Sequence, residues 1–234
     1  LSLLLFSGEE PLTEMQNEPT QEASSQKKVP LWKNPYVVAT LVGMLTVNLI
    51  RPCTRYIPDP PPVLGTLPAY TLIDQDGKEF GSEDLRGQVY VVNFFFTSCV
   101  TICPKVLNAA KMLEERYERS NVEVRLVTIT VDPETDTPER LKEYAEGVGA
   151  DFSRWSFLTG TRPQLESLIV GGFKTYMGEK QEDDAGLVDI GHGSRFVLVD
   201  HNGGVRGHYE ITEMGIDEVF HRSKHVLRQK SESE

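Results

Sequence analysis

A nearly unbroken apolar run occupies Val89–Phe96. It is rich in β-branched and aromatic residues, which is typical of a strand buried on both faces in the middle of an α/β sheet. Apolar residues then recur at helical spacing over 105–119, and Pro104 suits the first turn of a helix. The pattern therefore predicts a buried central strand, a short loop and a helix.

Further elements are predicted on both sides of this unit. Upstream, an Asp76-Gly77 turn joins two short strands into a hairpin. Downstream, strands and helices alternate, and the chain closes with an antiparallel pair and a helix. The downstream elements are the strand 122–131, the helix 135–147, the short strand 157–160, the helix 162–170, a long loop or hairpin over 173–191, the strands 195–200 and 205–210, and the helix 216–227. This order predicts an α/β protein with a thioredoxin-like fold.

The N-terminal part of the chain has a different character. Residues 1–34 are rich in Glu, Gln, Ser and Thr and predict a disordered acidic tail. Residues 35–51 are uncharged up to Arg51 and predict a single transmembrane helix, with a buried helix of a soluble domain as the alternative. Residues 52–65 are Pro-rich and predict a semi-rigid linker, which leaves 66–230 as the folded domain.

The charges beside the predicted anchor suggest its orientation. Lys27, Lys28 and Lys33 precede the apolar run, whereas Arg51 and Arg55 follow it. Since positive flanks stay on the inner side, we expect the N-terminus inside and the folded domain outside.

Composition and charge narrow the function. The 234-residue chain is 39% hydrophobic and 25% charged, which is normal for a folded domain. Its formal net charge of −11 argues against a nucleic-acid partner. Three cysteines are too few for a disulfide-stapled scaffold. The close pair Cys99 and Cys103 indicates a site instead, and the distant Cys53 is interpreted as an incidental thiol.

The close pair lies at the predicted strand-to-helix junction. The start of a helix favours an anion, so at least one of these thiols is expected to have a lowered pKa. Cys99 and Cys103 can form a redox-active disulfide or bind one metal ion together. The plain alternative is a pair of buried structural thiols.

A histidine late in the chain is the candidate third ligand. His192 precedes the strand 195–200, and in a thioredoxin-like sheet the loop entering that strand lies next to the cysteine loop. Two thiolates and one imidazole suit Cu(I), or Cu(II) with an added ligand, whereas zinc usually takes four protein ligands in a closed site. An ordinary loop histidine is the alternative. Asp132, at the end of the strand 122–131, is a candidate for orienting the site, with turn capping as the alternative.

Several motifs resemble the SCO/SenC family of copper-binding, thioredoxin-like proteins. They are Cys99-x-x-x-Cys103-Pro104 after the central strand, the Val-Asp-Pro-x-x-Asp-Thr-Pro pattern within Thr128–Pro138, the segment Trp155–Gly160, and the placement of His192. The resemblance covers roughly Thr66 to Leu227. One departure is Gly193, where the family often has Ser or Thr.

The resemblance implies a copper metallochaperone anchored by one helix in an inner membrane, with its folded domain facing the periplasm or the intermembrane space. It would deliver copper to the binuclear copper site of cytochrome c oxidase subunit II, or reduce the cysteines of that site. Its copper ligands would be Cys99, Cys103 and His192.

The alternative function is a membrane-anchored thiol–disulfide oxidoreductase that uses Cys99 and Cys103, with His192 tuning their pKa values. Three residues between the cysteines, rather than two, favour the metal. Whether the chain is an enzyme stays open. A peroxidase is disfavoured because no separate resolving cysteine accompanies the pair.

Overall fold

The structure, a computed structural model, describes residue 30 and residues 33–50, 59–182 and 188–233. The chain divides into two units, Leu1–Ile57 and Pro58–Glu234. The strands are β1 Gly65–Thr66, β2 Thr71–Asp74, β3 Glu79–Gly81, β4 Val89–Phe95, β5 Val124–Thr130, β6 Trp155–Thr159, β7 Met177–Glu182, β8 Val188–His192, β9 Arg195–Val199 and β10 Gly204–Glu210. The helices are α1 Pro35–Ile50, α2 Cys103–Arg119, α3 Pro138–Val148, α4 Arg162–Glu166 and α5 Glu213–Ser233, and a π-helical turn, Ser167–Gly172, follows α4 directly.

Helix α1 is the described element of the first unit. It has 16 residues, none of them charged and none of them buried. A helix of that length rises about 24 Å, whereas the hydrocarbon core of a bilayer is about 30 Å thick. Among the described residues, no helix combines the length and the apolarity needed to cross a membrane. The transmembrane helix predicted at 35–51 is therefore not supported by α1 itself.

Strand β4 is the centre of the second unit. All seven of its residues are buried, as its unbroken apolar run predicts. It pairs in parallel with β5, for example Val92 with Val127, and antiparallel with β9, where Val92 faces Val197. The full sheet has eight strands in the order β1-β10-β9-β4-β5-β6-β2-β3. Strands β7 and β8 form a separate two-stranded sheet.

Helices cover both faces of the sheet. Successive residues of a strand point to opposite faces, so Phe95 packs against Tyr144 of α3 while Phe94 packs against Phe173 beyond the π-helical turn. Helix α5 packs on α2, where the rings of Tyr117 and Phe220 are 5.4 Å apart. The parallel β4–α2–β5–α3–β6 unit, followed by an antiparallel pair and a closing helix, confirms the predicted thioredoxin-like fold.

Most predicted elements are found, with shifted ends. The Asp76-Gly77 hairpin is confirmed by the pairing of β2 with β3, and Gly77 takes a positive φ of 76° in its turn. The segment 173–191 contains the β7–β8 hairpin, one of its two predicted forms. The helix predicted at 162–170 is shorter, because α4 ends at Glu166 and gives way to the π-helical turn.

The end of the predicted linker lies on the sheet. The carbonyl of Pro61 accepts a hydrogen bond from the Arg206 guanidinium at 2.7 Å, and the amide of Leu64 donates to the carbonyl of Val205 at 2.8 Å. Arg206 in turn pairs with the buried Asp200 at 2.6 Å. The prolines after residue 58 are therefore held by the fold, since a buried guanidinium needs these acceptors. Residues 1–29, 31–32 and 51–58, including Cys53 and nearly all of the predicted acidic tail, lie outside the described residues.

We expect Arg206→Ala to lower the free energy of unfolding by about 3–5 kcal/mol, because it leaves the Asp200 carboxylate buried without its cation. The side chains of this pair are 8% and 3% exposed. Arg195→Ala is the matched control, since it breaks the Arg195–Glu210 pair, whose side chains are both 57% exposed. That control should cost less than about 1 kcal/mol. Urea unfolding measures the free energy of unfolding of both variants. Equal losses of this free energy would contradict a structural role for the buried Arg206–Asp200 pair.

Candidate metal and redox centre

The two cysteines occupy the junction between β4 and α2. Strand β4 ends at Phe95 and α2 begins at Cys103, so Cys99 lies in the connecting loop and Cys103 in the first turn of the helix. Pro104 follows, where its missing amide costs no helical hydrogen bond. Cys99 is 5% exposed and Cys103 is fully buried, and both are thiols in the structure. The junction predicted from the sequence is confirmed.

The backbone at the start of α2 links the two cysteines. The backbone amide of Cys103 donates a hydrogen bond to Cys99 Sγ at 3.4 Å, and Thr101 Oγ1 lies 3.6 Å from the same sulfur. Burial raises the pKa of the Cys99 thiol, but the hydrogen bonds from Cys103 and Thr101 outweigh burial and leave the pKa below its ordinary value. The expectation of one activated thiol is confirmed.

Cys103 has the opposite character. Burial raises the pKa of its thiol far above the ordinary value, and a hydrogen bond from the Phe96 amide, 3.5 Å from Sγ, offsets only part of that rise. Negative charge on Cys99 and Asp136 adds to it. The pKa of the Cys99 thiol therefore lies below its ordinary value and that of the Cys103 thiol above it, so Cys99 is the more readily ionised of the two.

Asp136 connects the cysteine loop to β5. Its carboxylate accepts hydrogen bonds from the Thr97 amide at 3.1 Å, from the Thr97 hydroxyl, and from Thr130 Oγ1 at 2.5 Å. Arg140 Nε donates to Thr97 Oγ1 at 2.7 Å from the other side. The carboxylate is buried, which raises the pKa of Asp136, and the hydrogen bonds from Thr130 and Thr97 oppose that rise. Asp136 thus fixes Thr97, near the start of the loop that carries Cys99.

The sequence pointed to a different aspartate. Asp132 is buried at the end of β5, where its amide donates to Thr130 Oγ1 at 3.0 Å and its carbonyl accepts from the Asp136 amide at 2.9 Å. These backbone contacts shape the turn after β5, and an orienting role for the Asp132 carboxylate stays a prediction. The role of Asp136 was missed because a carboxylate six positions beyond a strand gives no sign that it folds back onto another loop.

Tyr144 is a second residue that the sequence analysis missed. Burial raises the pKa of its phenol, and the charges of Cys103, Cys99 and Asp136 add to the rise, so this side chain faces the centre. With Pro104, Leu107 and Val148 it lines a groove of about 290 Å³ between α2 and α3.

The backbone of His192 reaches the same edge of the sheet. His192 ends β8 opposite Met177, and β9 begins three residues later, antiparallel to β4. Continuing the Val92–Val197 register beyond both strands would put Gly193 opposite Phe96, next to the cysteine loop. The His192 side chain lies outside the described residues. Among the side chains that are described, no group of three or more His, Cys, Asp or Glu could hold a metal ion. The third ligand therefore stays a prediction.

The other histidines have different surroundings. His208 Nε2 lies 2.9 Å from the carbonyl oxygen of Phe173, and His221 Nε2 lies 3.6 Å from Asp217 on α5. Burial and then the positive charges around it lower the pKa of His225. These contacts supply no ligand to the cysteine pair.

The described donor atoms permit two kinds of chemistry. A thiolate beside a second thiol is a soft ligand pair, which suits Cu(I) better than hard cations. Because metal binding requires deprotonated sulfur, loading the pair would release the proton of Cys103. The same two sulfurs can instead be oxidised to a disulfide by a client disulfide, which Cys99 would attack as a thiolate and which would be reduced to two thiols.

The fold and the thiol pair together define a thioredoxin-like dithiol protein. A family model described as SCO1/SenC matches residues 62–228. The chain therefore belongs to the SCO1/SenC family, and the resemblance seen in its motifs is confirmed.

Individual relatives agree with this placement. The SCO1 protein homolog of Bacillus subtilis is 34% identical over 145 residues, which are 62% of this chain and 73% of the relative. BsSco, a member of the Sco family of cytochrome c oxidase assembly proteins in which a disulfide switch was identified, superimposes with a TM-score of 0.59 at 29% identity, covering 71% of this chain and 98% of that chain. Arabidopsis thaliana ScoI with copper bound gives a TM-score of 0.58 at 25% identity, covering 70% and 99% of the two chains.

We expect iodoacetamide near neutral pH to modify Cys99 at least about tenfold faster than Cys103, because the thiolate is the nucleophile and one pKa unit changes its fraction tenfold. Peptide mapping after short labelling gives the two rates separately and also separates Cys53. Thr101→Val is the control, since it removes the hydroxyl near Cys99 Sγ and should slow Cys99 alone. Equal rates for the two cysteines would contradict the assigned asymmetry.

Proposed function

We propose that this protein is a copper-binding metallochaperone that loads the binuclear copper site of cytochrome c oxidase subunit II, or prepares the cysteines of that site. Copper is the cargo, and Cys99, Cys103 and His192 are its proposed ligands. The observation that carries the proposal is the contact between the Cys103 amide and Cys99 Sγ, which holds two sulfurs together at the start of α2. The relatives support it, since one of them was solved with copper bound and another belongs to a family of cytochrome c oxidase assembly proteins.

The unequal thiols suit a carrier that must both bind and release copper. Cys99 is the more readily ionised thiol, whereas the buried Cys103 must lose a proton when the metal binds. Affinity therefore falls as pH drops, because protons compete for the Cys103 sulfur. Asp136 holds the loop in place while the ligands change.

A thiol–disulfide oxidoreductase is the second candidate, and the same asymmetry favours it. A thiolate at Cys99 can attack a client disulfide, after which Cys103 resolves the mixed disulfide. The reaction would oxidise the Cys99–Cys103 dithiol to a disulfide and reduce the client to two thiols. The disulfide switch identified in BsSco supports this alternative.

Anaerobic titration with Cu(I) separates the two functions. We expect the wild-type chain to bind about one Cu(I) and His192→Ala or Cys99→Ser to bind it at least about 100-fold more weakly, because losing a ligand exceeds the 10–100-fold cost of losing a residue that supports one. Competition with a chromophoric Cu(I) chelator measures the affinities. His221→Ala is the matched control, since this imidazole lies on α5 beside Asp217. A wild-type chain that binds no copper yet reduces a disulfide substrate would establish the oxidoreductase instead.

Attachment to an inner membrane, with the folded unit in the periplasm or the intermembrane space, is part of the proposal. The support comes from the sequence, since the 16 residues of α1 carry no charge. Because α1 alone is shorter than a bilayer core, the anchor would need the residues that flank it. We expect the 234-residue chain to float with lipid vesicles in a density gradient and a chain that begins at Asp59 to stay in the soluble fraction. Equal distributions of the two chains would contradict the anchor.

A further inference from the structure

Three glycines of the β7–β8 hairpin lie where there is no room for a side chain. Gly191 and Gly193 flank His192, and Gly178 lies on the facing strand. A Cβ built on Gly191 would lie 2.7 Å from Tyr176 Cε1, one on Gly193 would lie 2.5 Å from Thr175 Cγ2, and one on Gly178 would lie 2.9 Å from the Tyr176 hydroxyl oxygen. Real Cβ atoms do not approach other atoms so closely.

The backbone conformation does not explain these glycines. The glycines with positive φ in the described part of the chain are Gly77, Gly87, Gly149 and Gly203. The three glycines of the hairpin are not among them, so an L-residue would fit their backbone angles. Close approach is therefore the reason for glycine at these positions, and the approaching atoms belong to the two consecutive residues Thr175 and Tyr176.

The segment that leads to Thr175 and Tyr176 is attached to the π-helical turn and to β4. The Thr175 amide donates to the Ile169 carbonyl at 3.0 Å, which ties it to the π-helical turn. The Phe173 ring is fully buried and packs edge-on against Phe94 of β4 at 5.4 Å. Lys174, between Phe173 and Thr175, takes a positive φ of 54°, which turns the chain sharply toward the hairpin. The strand that leads to Cys99 and the strand that carries His192 are thus connected through one short segment.

Exposure distinguishes Tyr176 from a core residue. Tyr176 is 70% exposed, although its side chain carries a large aromatic ring. Its ring therefore gains little from burial, while it lies against the backbone of Gly191 and Gly178 on two facing strands. The Tyr176 ring thus restricts the backbone before His192 at Gly191, and the Thr175 methyl group restricts it after His192 at Gly193.

We propose that Thr175 and Tyr176 are positioning residues that hold the Gly191-His192-Gly193 backbone in place and so direct His192 toward the cysteine pair. This inference rests on the proposed function, because it takes His192 to be a copper ligand. The Tyr176 ring packs at Gly191 and the Thr175 methyl group at Gly193, the residues before and after His192 in the chain, and neither residue is proposed as a ligand.

The test uses Tyr176→Ala in the 234-residue chain. We expect its Cu(I) affinity to fall about tenfold, as is usual when support for a metal-bound histidine is lost. The Cu(II) electron paramagnetic resonance spectrum should shift toward that of His192→Ala. Tyr176→Phe keeps the ring and should show the wild-type Cu(I) affinity and the wild-type spectrum. Tyr36→Ala is the matched control, since it removes another exposed tyrosine, on α1.

A double-mutant cycle isolates the contact itself. Gly191→Ala places a methyl group against the Tyr176 ring and should weaken copper binding in the wild-type background. In the Tyr176→Ala background the space beside Gly191 is open, so Gly191→Ala should lower the copper affinity only slightly. Equal costs in the two backgrounds would overturn the proposal.

A readout without copper keeps this inference separate from the proposed function. Amide hydrogen exchange of the metal-free protein over residues 188–193 should be faster in Tyr176→Ala than in wild type, with unchanged exchange over α2. Unchanged exchange over 188–193 refutes the positioning role even where copper binds normally. A wild-type chain that binds no copper refutes the proposed function, whatever the exchange shows.

Discussion

The hydrogen bond from the Cys103 amide to Cys99 Sγ is the interaction on which the centre depends. It exists because the buried strand β4 delivers its loop directly to the first turn of α2, where backbone amides have no helical acceptor. That contact joins the two cysteines and helps to lower the pKa of the Cys99 thiol, while burial raises the pKa of the Cys103 thiol. Cys99 gains a donor that stabilises its thiolate, whereas Cys103 lies deeper and keeps its proton. A soft-metal site needs two sulfurs close together, and a thiol reductant needs one readily ionised thiol beside a second, so the same junction suits both functions.

Two supports converge on this junction from opposite sides. Asp136, which lies after β5, accepts hydrogen bonds from the amide and the hydroxyl of Thr97. These bonds fix the loop before Cys99 near its start. Thr175 and Tyr176 lie against the hairpin that carries His192, and Phe173 connects them to β4. Both act on backbone, and a small displacement of backbone moves a ligand by as much as an altered side chain would.

Much of the architecture follows from local pattern. The apolar run of β4, the Asp76-Gly77 turn and the Cys103-Pro104 helix start each depend on neighbouring residues, so they were predictable and were confirmed. The ends of elements were less predictable. The helix after β6 stops at Glu166 and becomes a π-helical turn, because the contacts that select a π-helix come from other parts of the fold. The prolines near β1 were predicted as a spacer, yet Pro61 is held by Arg206, a residue far along the chain.

The sequence by itself determined the family, the thioredoxin-like order of elements and the thiol pair, because each depends on residues that are close together in the chain. The tertiary structure decided which carboxylate supports the cysteine loop, how far the two thiols differ in pKa, and why glycines flank His192. Those properties depend on burial and on contacts between residues that are far apart in the chain. A hydrogen bond such as that from Thr97 to Asp136 forms only after β4 and β5 have paired, and no local pattern records it.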